Sequence, residues 1–485
     1  MNKALKTLSY ETLNELQYEG FLMREAPERV LQFGEGNFLR AFVDYFIDIL
    51  NEKTGFASKV VLVQPIEGGD TIREYINKQE GLYTLILRGN ENGVRVNKKR
   101  IISCVSRCIN PYVQYDEVLA CAANPKLRYI VCNTTEAGIR YDEGCQFEDT
   151  PAETYPAKLT RFMYERFSLY GKEEGKGFVI LACELIDDNG RVLKECVLRY
   201  ARQWQLGAEF EQWIENENIF CSTLVDRIVT GYPRKEAENL CKELGYVDNL
   251  IDTGEVFGFW VIEGPDSLKK ELPFEEAGLP VIITDNHKPY KERKVRILNG
   301  AHTTMVLGAY LAGQNIVREC MEDRVIADFM NKTIYDEIIP TLSLPEKELK
   351  EFAASVTDRF NNPFIDHELL SIALNSTSKW RARVLPSMKK YIDKYVRLPS
   401  CIVASLAFYI EFCRGDKIND DRAVEEFYSE HKDTEMSELV ALVLANKEFW
   451  GEDLTLIPEL LETVVNDMLL IDECGAYELM KSCIR

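Results

Sequence analysis

Arg29-Val30-Leu31-Gln32-Phe33-Gly34-Glu35-Gly36-Asn37-Phe38-Leu39-Arg40-Ala41 carries the first decision about this chain. Residues 29–34 read as a short buried strand ending on a glycine, and Phe38 to Leu50 has the apolar spacing of a helix. The turn between them holds Gly34 and Gly36, which allow a tight bend and a close backbone approach to a pyrophosphate. The helix start then offers N–H donors and a partial positive charge to an anion. The usual third glycine of such a turn is missing, and Leu39 stands in its place. An ordinary strand-to-helix turn has the same look on spacing alone, so its surroundings decide.

Those surroundings alternate. Val60 to Val63, Leu127 to Cys132 and Phe178 to Cys183 are further apolar runs, separated by helical stretches. Buried runs alternating with helices predict a parallel sheet. From about Lys294 the texture changes, and apolar-periodic stretches at 294–313, 320–339, 400–413 and 435–448 predict helices. We therefore expect a dinucleotide-binding α/β domain over 1–285 and a mostly helical catalytic domain over 286–485. The first twenty residues read equally as a docking helix or a frayed tail.

The chain of 485 residues is 46% apolar, enough for a sizeable core. Its 58 basic and 79 acidic side chains leave a net charge of 58 − 79 = −21. That balance argues against nucleic-acid binding, which relies on basic side chains, and against docking on an anionic membrane. No apolar run is long enough to span a bilayer, and the start lacks an apolar signal core, so a cytoplasmic location is expected. The 14 cysteines form no Cys-x-x-Cys pair and read as reduced core residues. His287, His302, His367 and His431 lack metal-ligand spacing, so no metal site is expected.

A dinucleotide fold often places an acid after its second strand to hold the ribose hydroxyls. Glu67 in Gln64-Pro65-Ile66-Glu67 can serve, and the next arginine is the more distant Arg73, which favours NAD over NADP. The segment from His287 to Arg296 is basic in an acidic chain and leads into Ile297-Leu298-Asn299-Gly300-Ala301-His302. At about 100° per residue, Lys294, Asn299 and His302 share one broad helix face. They read either as hydrogen-bonded core residues or as a carbonyl-reducing set, with a lysine proton donor, an asparagine donor and a histidine. Arg293 and Arg296 are cationic neighbours of the kind that depress a lysine pKa. Tyr290 and Lys294 also form Tyr-x-x-x-Lys, the pair of short-chain dehydrogenases, but its place at the start of a helical half marks it as coincidence.

The early Gly34-Glu35-Gly36-Asn37-Phe38-Leu39-Arg40 followed by Lys294-x4-Asn299-x2-His302 resembles the polyol-specific long-chain dehydrogenases, the mannitol dehydrogenase family. Val225-Asp226-Arg227-Ile228, Trp260-Val261-Ile262-Glu263 and Arg359-Phe360-Asn361-Asn362-Pro363 extend the resemblance over about 29–390. Further stretches are similar to family members that act on sugar acids: Asn133-Thr134-Thr135-Glu136-Ala137-Gly138, Cys183-Glu184-Leu185-Ile186-Asp187 and Cys221 to Pro233. The resemblance implies a Rossmann-type N-terminal domain, a helical C-terminal domain, a site in the cleft between them and metal-free chemistry with NAD. It implies cofactor contacts along Val30 to Ala41 and a catalytic Lys294, acid in reduction and base in oxidation. It also implies an oxyanion donor in Asn299, a substrate-positioning His302, and pocket residues Asp226 and Lys379.

Two departures bear on the substrate. Mannitol dehydrogenases carry a second oxyanion asparagine after a Cys-Asp pair, where this chain has Cys183-Glu184-Leu185. They also have an arginine eight residues before the pocket lysine, where this chain has Ser371. Both suggest a pocket remodelled for a sugar acid, so the expected partner is a keto-uronate or aldonate. Its carboxylate needs a charge-assisted contact, for which Lys379 leads, with Arg381, Arg383, Arg293 and Arg296 as alternatives. A catalytically silent NAD-binding sensor would need the glycine turn but not Lys294, Asn299 and His302 together.

Overall fold

The computed structural model describes residues 5–91, 93–134 and 137–485, so Thr135 and Glu136 of the Asn133–Gly138 stretch lie outside the described residues. The chain divides into two compact units, one of Met1–Arg88 with Val96–His287 and one of Gly89–Arg95 with Lys288–Arg485. The strands, in chain order, are β1 (Glu28–Phe33), β2 (Lys59–Val63), β3 (Tyr83–Glu91), β4 (Val94–Ile102), β5 (Val105–Ile109) and β6 (Tyr129–Cys132). They continue as β7 (Val179–Ala182), β8 (Ile219–Asp226), β9 (Asp252–Glu255), β10 (Phe259–Glu263) and β11 (Val281–Thr284).

In the first unit the large sheet runs β11-β10-β8-β7-β6-β1-β2-β5. From β5 to β8 all neighbours pair in parallel. Counting only those six strands, the order is third-second-first-fourth-fifth-sixth, the doubly wound arrangement of dinucleotide-binding folds. β10 then pairs antiparallel to β8 and parallel to β11. The apolar runs arise because both faces are covered. Val30, Val60, Leu62, Tyr129, Val131, Val179 and Leu181 enter one core with Phe46 and Leu50 of the helix Tyr45–Thr54. Their alternating neighbours Leu31, Val61, Val63, Ile130 and Ile180 enter the other, with Leu159 and Phe162 of Tyr155–Tyr170. The expected strands fall where the apolar runs placed them.

The β4-β3-β9 sheet was not expected. β4 is largely polar and exposed, so hydrophobic periodicity carries little signal there. The N-terminus docks. Ser9 caps the helix Tyr10–Glu15, and the buried Leu8 and Leu13 pack with Leu82, Ile101 and Tyr246. In the second unit the stretch 320–339 is broken, because Asp323 ends one helix and caps the next by accepting from Val325 and Ile326 N–H at 2.9 and 3.1 Å. Among the described residues no helix is long and apolar enough to cross a membrane.

Arg40 is almost fully buried and fastens the glycine turn to its unit. It donates to Glu35 O at 3.1 Å, Leu250 O at 2.7 Å and Asn37 Oδ1 at 2.6 Å, and lies 3.7 Å from Asp252 Oδ2. Burial pushes the carboxyls of Glu35, Asp44 and Asp252 each up to about 7, with Arg40 opposing. Between roughly pH 4 and 7 the folded protein therefore holds protons that the unfolded chain has released. Stability should fall as pH rises through that window, by up to ~4 kcal/mol for a single such carboxyl and less than additively for groups sharing Arg40. Melting temperature measured from pH 5 to 8 checks this, with Asp252→Asn expected to flatten the fall. An unchanged slope in that variant would show Asp252 already ionised in the fold.

Candidate active site

The turn after β1 lies at the switch point of the sheet, where β1 has β2 on one side and β6 on the other. Gly34 has φ +131°, a conformation open to glycine, and a Cβ there would come within 3.0 Å of Leu39 Cδ1. Leu39 thus fills the room that a side chain at position 34 would take, which accounts for a leucine where a third glycine is usual. Val30 to Glu35 and Leu39 to Ala41 are buried and form the support of the turn. Gly36 and Asn37 are exposed, with Phe38 half-buried beside them.

Gly36 has ordinary extended angles, φ −67° and ψ 163°, and a Cβ there would meet nothing within 4 Å. The space above Gly36 opens at the start of the helix that begins at Asn37 and continues to Thr54. A bare backbone facing open space at a helix N-terminus fits a pyrophosphate. Glu67 is exposed in the loop after β2, available to ribose hydroxyls. Arg73 is occupied by Asp70 at 3.1 Å and Glu74 at 3.8 Å, so it is not poised for a 2′-phosphate. Asp226 is buried at the end of β8.

In the second unit Lys294, Asn299 and His302 lie on one continuous helix, Lys288–Leu311, and all three are half-buried. Its middle, Lys294–Gly300, is a π-helical turn. In a regular α-helix Lys294 and Asn299 would sit about 140° apart. A π-turn takes more residues per turn than an α-turn, so Asn299 comes round nearer to the Lys294 side of the helix. Gly300 lets the helix Ser376–Arg383 approach, since a Cβ there would lie 3.3 Å from Arg383 O.

His302 stacks on Phe360, centroids 3.9 Å apart at 9°, and meets His367 edge-on at 5.5 Å. Its Nε2 is buried with no hydrogen-bond partner among the described residues. Burial, then the neighbouring His367, Arg359 and Arg383, hold its pKa well below the usual histidine value. His302 is therefore a neutral imidazole with one ring nitrogen reserved for something else. Phe360 and His367 were not expected in this role. Phe360 belongs to a stretch quoted for the family likeness, but nothing in the spacing ties either residue to His302.

The candidate carboxylate partners separate. Arg293 is buried between the Tyr290 ring at 5.3 Å and the Phe352 ring at 4.4 Å. Arg296 lies 3.7 Å from Glu292 and 3.4 Å from Ser387 Oγ. Arg381 is exposed and donates to Glu448 O. Lys379 donates to Ile372 O at 2.9 Å, and burial together with Arg383 lowers its pKa. Arg383 is half-buried, and its guanidinium makes a 3.5 Å contact with Thr303 Oγ1. Among the described residues, no group of three or more His, Cys, Asp or Glu side chains is placed to hold a metal ion.

Comparison with known proteins matches both units to domains of one family. The family profile for the mannitol dehydrogenase Rossmann domain matches residues 28–276, and that for the mannitol dehydrogenase C-terminal domain matches 286–472. Proteins named altronate oxidoreductase from Escherichia coli and Shigella flexneri are each 49% identical over 484 residues, covering 97% of this chain and 99% of the relative. Among solved structures, D-sorbitol dehydrogenase in substrate-free form superposes with a TM-score of 0.81 at 22% identity, covering 98% of this chain and 100% of that one. Pseudomonas fluorescens mannitol 2-dehydrogenase, in ternary complex with NAD and D-mannitol, has a TM-score of 0.66 at 21% identity, covering 98% and 99%. Both share the fold. With both family domains matched in order along nearly the whole chain, the protein belongs to the mannitol dehydrogenase family.

Proposed function

We propose that the protein is a cytoplasmic NAD-dependent oxidoreductase that interconverts D-tagaturonate and D-altronate. The observation carrying the chemistry is the one helix that bears Lys294 and Asn299 on its π-turn and the neutral His302 just beyond it. The 49% identity to proteins named altronate oxidoreductase supports the choice of sugar acid. Bound NADH would supply the hydride to the ketone carbon, and NAD⁺ would accept it in the reverse direction. Gly36 and the first N–H groups of the helix from Asn37 would hold its pyrophosphate, and Glu67 its ribose.

Reduction places negative charge on the carbonyl oxygen, and Lys294 gives its ammonium proton to that oxygen. In oxidation the deprotonated amine takes the hydroxyl proton. Asn299 donates an amide N–H to the same oxygen, stabilising the charge as it forms. His302, fixed against Phe360, offers Nε2 to a neighbouring substrate hydroxyl and so sets the sugar's orientation. The family resemblance adds Asp226 and Lys379 as substrate-binding residues.

The experiment is NADH-coupled turnover of D-tagaturonate and D-fructuronate side by side. We expect the higher kcat/KM with D-tagaturonate. A higher value with D-fructuronate would move the protein to the other keto-uronate.

A further inference from the structure

We propose that Arg383 is the residue that binds the substrate carboxylate, with Lys379 beside it in a supporting place. This deepens the sugar-acid reading above and rests on it. A keto-hexuronate carries its ketone near one end and its carboxylate at the other, so the site must grip both. A carboxylate leaving water needs a charge-assisted partner, and a guanidinium presents a planar pair of N–H donors that matches it.

Arg383 ends the helix Ser376–Arg383, whose close approach to the catalytic helix depends on Gly300. Its NH1 points to Thr303 Oγ1, and that hydroxyl donates to Asn299 O at 2.9 Å. The guanidinium is thereby placed against the turn that carries Asn299 and His302, close enough for its charge to act on His302. Its one hydrogen bond among the described residues is the 3.5 Å contact to Thr303, and no carboxylate among them pairs with it. A half-buried guanidinium left with most of its donors unused, in a chain of net charge −21, calls for an anion.

The other cations weighed for this contact from the sequence are engaged. Arg293 is sandwiched by two rings, Arg296 is drawn to Glu292, and Arg381 lies exposed on Glu448 O. Lys379 already donates to Ile372 O at 2.9 Å, one helical turn before Arg383. It adds positive charge near the carboxylate but not a two-pronged contact.

The test compares the unmodified enzyme with Arg383→Gln, Arg383→Lys and Lys379→Met, measuring kcat/KM for D-tagaturonate and for the neutral ketose D-fructose. Arg383→Gln should lower the ratio of the two values on the order of 10²-fold, mostly through KM for the acid. Arg383→Lys should recover part of the loss, Lys379→Met should lose less than Arg383→Gln, and millimolar guanidinium ion added to Arg383→Ala should restore acid turnover. A ratio unchanged in Arg383→Gln while the unmodified enzyme prefers D-tagaturonate would overturn the assignment. So would a larger loss in Lys379→Met. If Arg383→Gln fails to fold, the Arg383→Lys ratio decides, an unchanged value counting against a two-pronged contact. Absence of any preference in the unmodified enzyme is a different result, which defeats the sugar-acid reading itself.

Discussion

Lys294→Ala should lower kcat by ~10²–10⁴ in both directions, the range for loss of a general acid–base group. NADH affinity should stay within a few fold, because Lys294 belongs to the second unit and the glycine turn to the first. Lys294→Arg separates charge from proton transfer. It retains a cation, yet a guanidinium does not give up its proton at working pH, so kcat should remain low. Steady-state kinetics with calorimetry of NADH binding checks both variants. Near-normal kcat in the alanine variant would remove Lys294 from the mechanism.

The second large effect is on the cofactor. Gly36→Val should raise the NADH dissociation constant by ~10²-fold or more, while the protein stays folded. The backbone at Gly36 is one that any residue can adopt, and an added Cβ meets no protein atom within 4 Å. The branched side chain therefore costs little in the empty protein and stands where the pyrophosphate must come close. Gly34→Val is the contrasting case. Its φ of +131° and the 3.0 Å approach of Leu39 predict a destabilised fold rather than a selective loss of binding. Calorimetry on folded Gly36→Val decides, and undiminished NADH binding would place the cofactor elsewhere.

The legible parts of this chain were those where burial writes a simple pattern. The strands β1, β2, β6 and β7 are covered on both faces, so each appears as an unbroken apolar run. β4, with its polar exposed residues, left no such trace, and the apolar run of β10 does not reveal that it pairs antiparallel. The helix Lys288–Leu311 was legible as a helix, but its period was not. At 3.6 residues per turn Asn299 falls well away from Lys294, and the π-turn brings it nearer. Gly300, which ends that turn, packs close to Arg383 O, a contact that a single sequence does not display. The surroundings of His302 come from Phe360, His367 and Arg383, far along the chain, so their role appears only once the helices are packed.

The most direct test of a sugar-acid oxidoreductase needs no variant. Purified protein is assayed with NADH against D-tagaturonate and D-fructose at matched concentrations, following NADH absorbance and identifying the product. The account predicts kcat/KM for D-tagaturonate higher by ~10²-fold or more, as expected where a buried cation must be paired, with D-altronate as the product. Equal or better turnover of D-fructose would contradict it and return the protein to the polyol dehydrogenases.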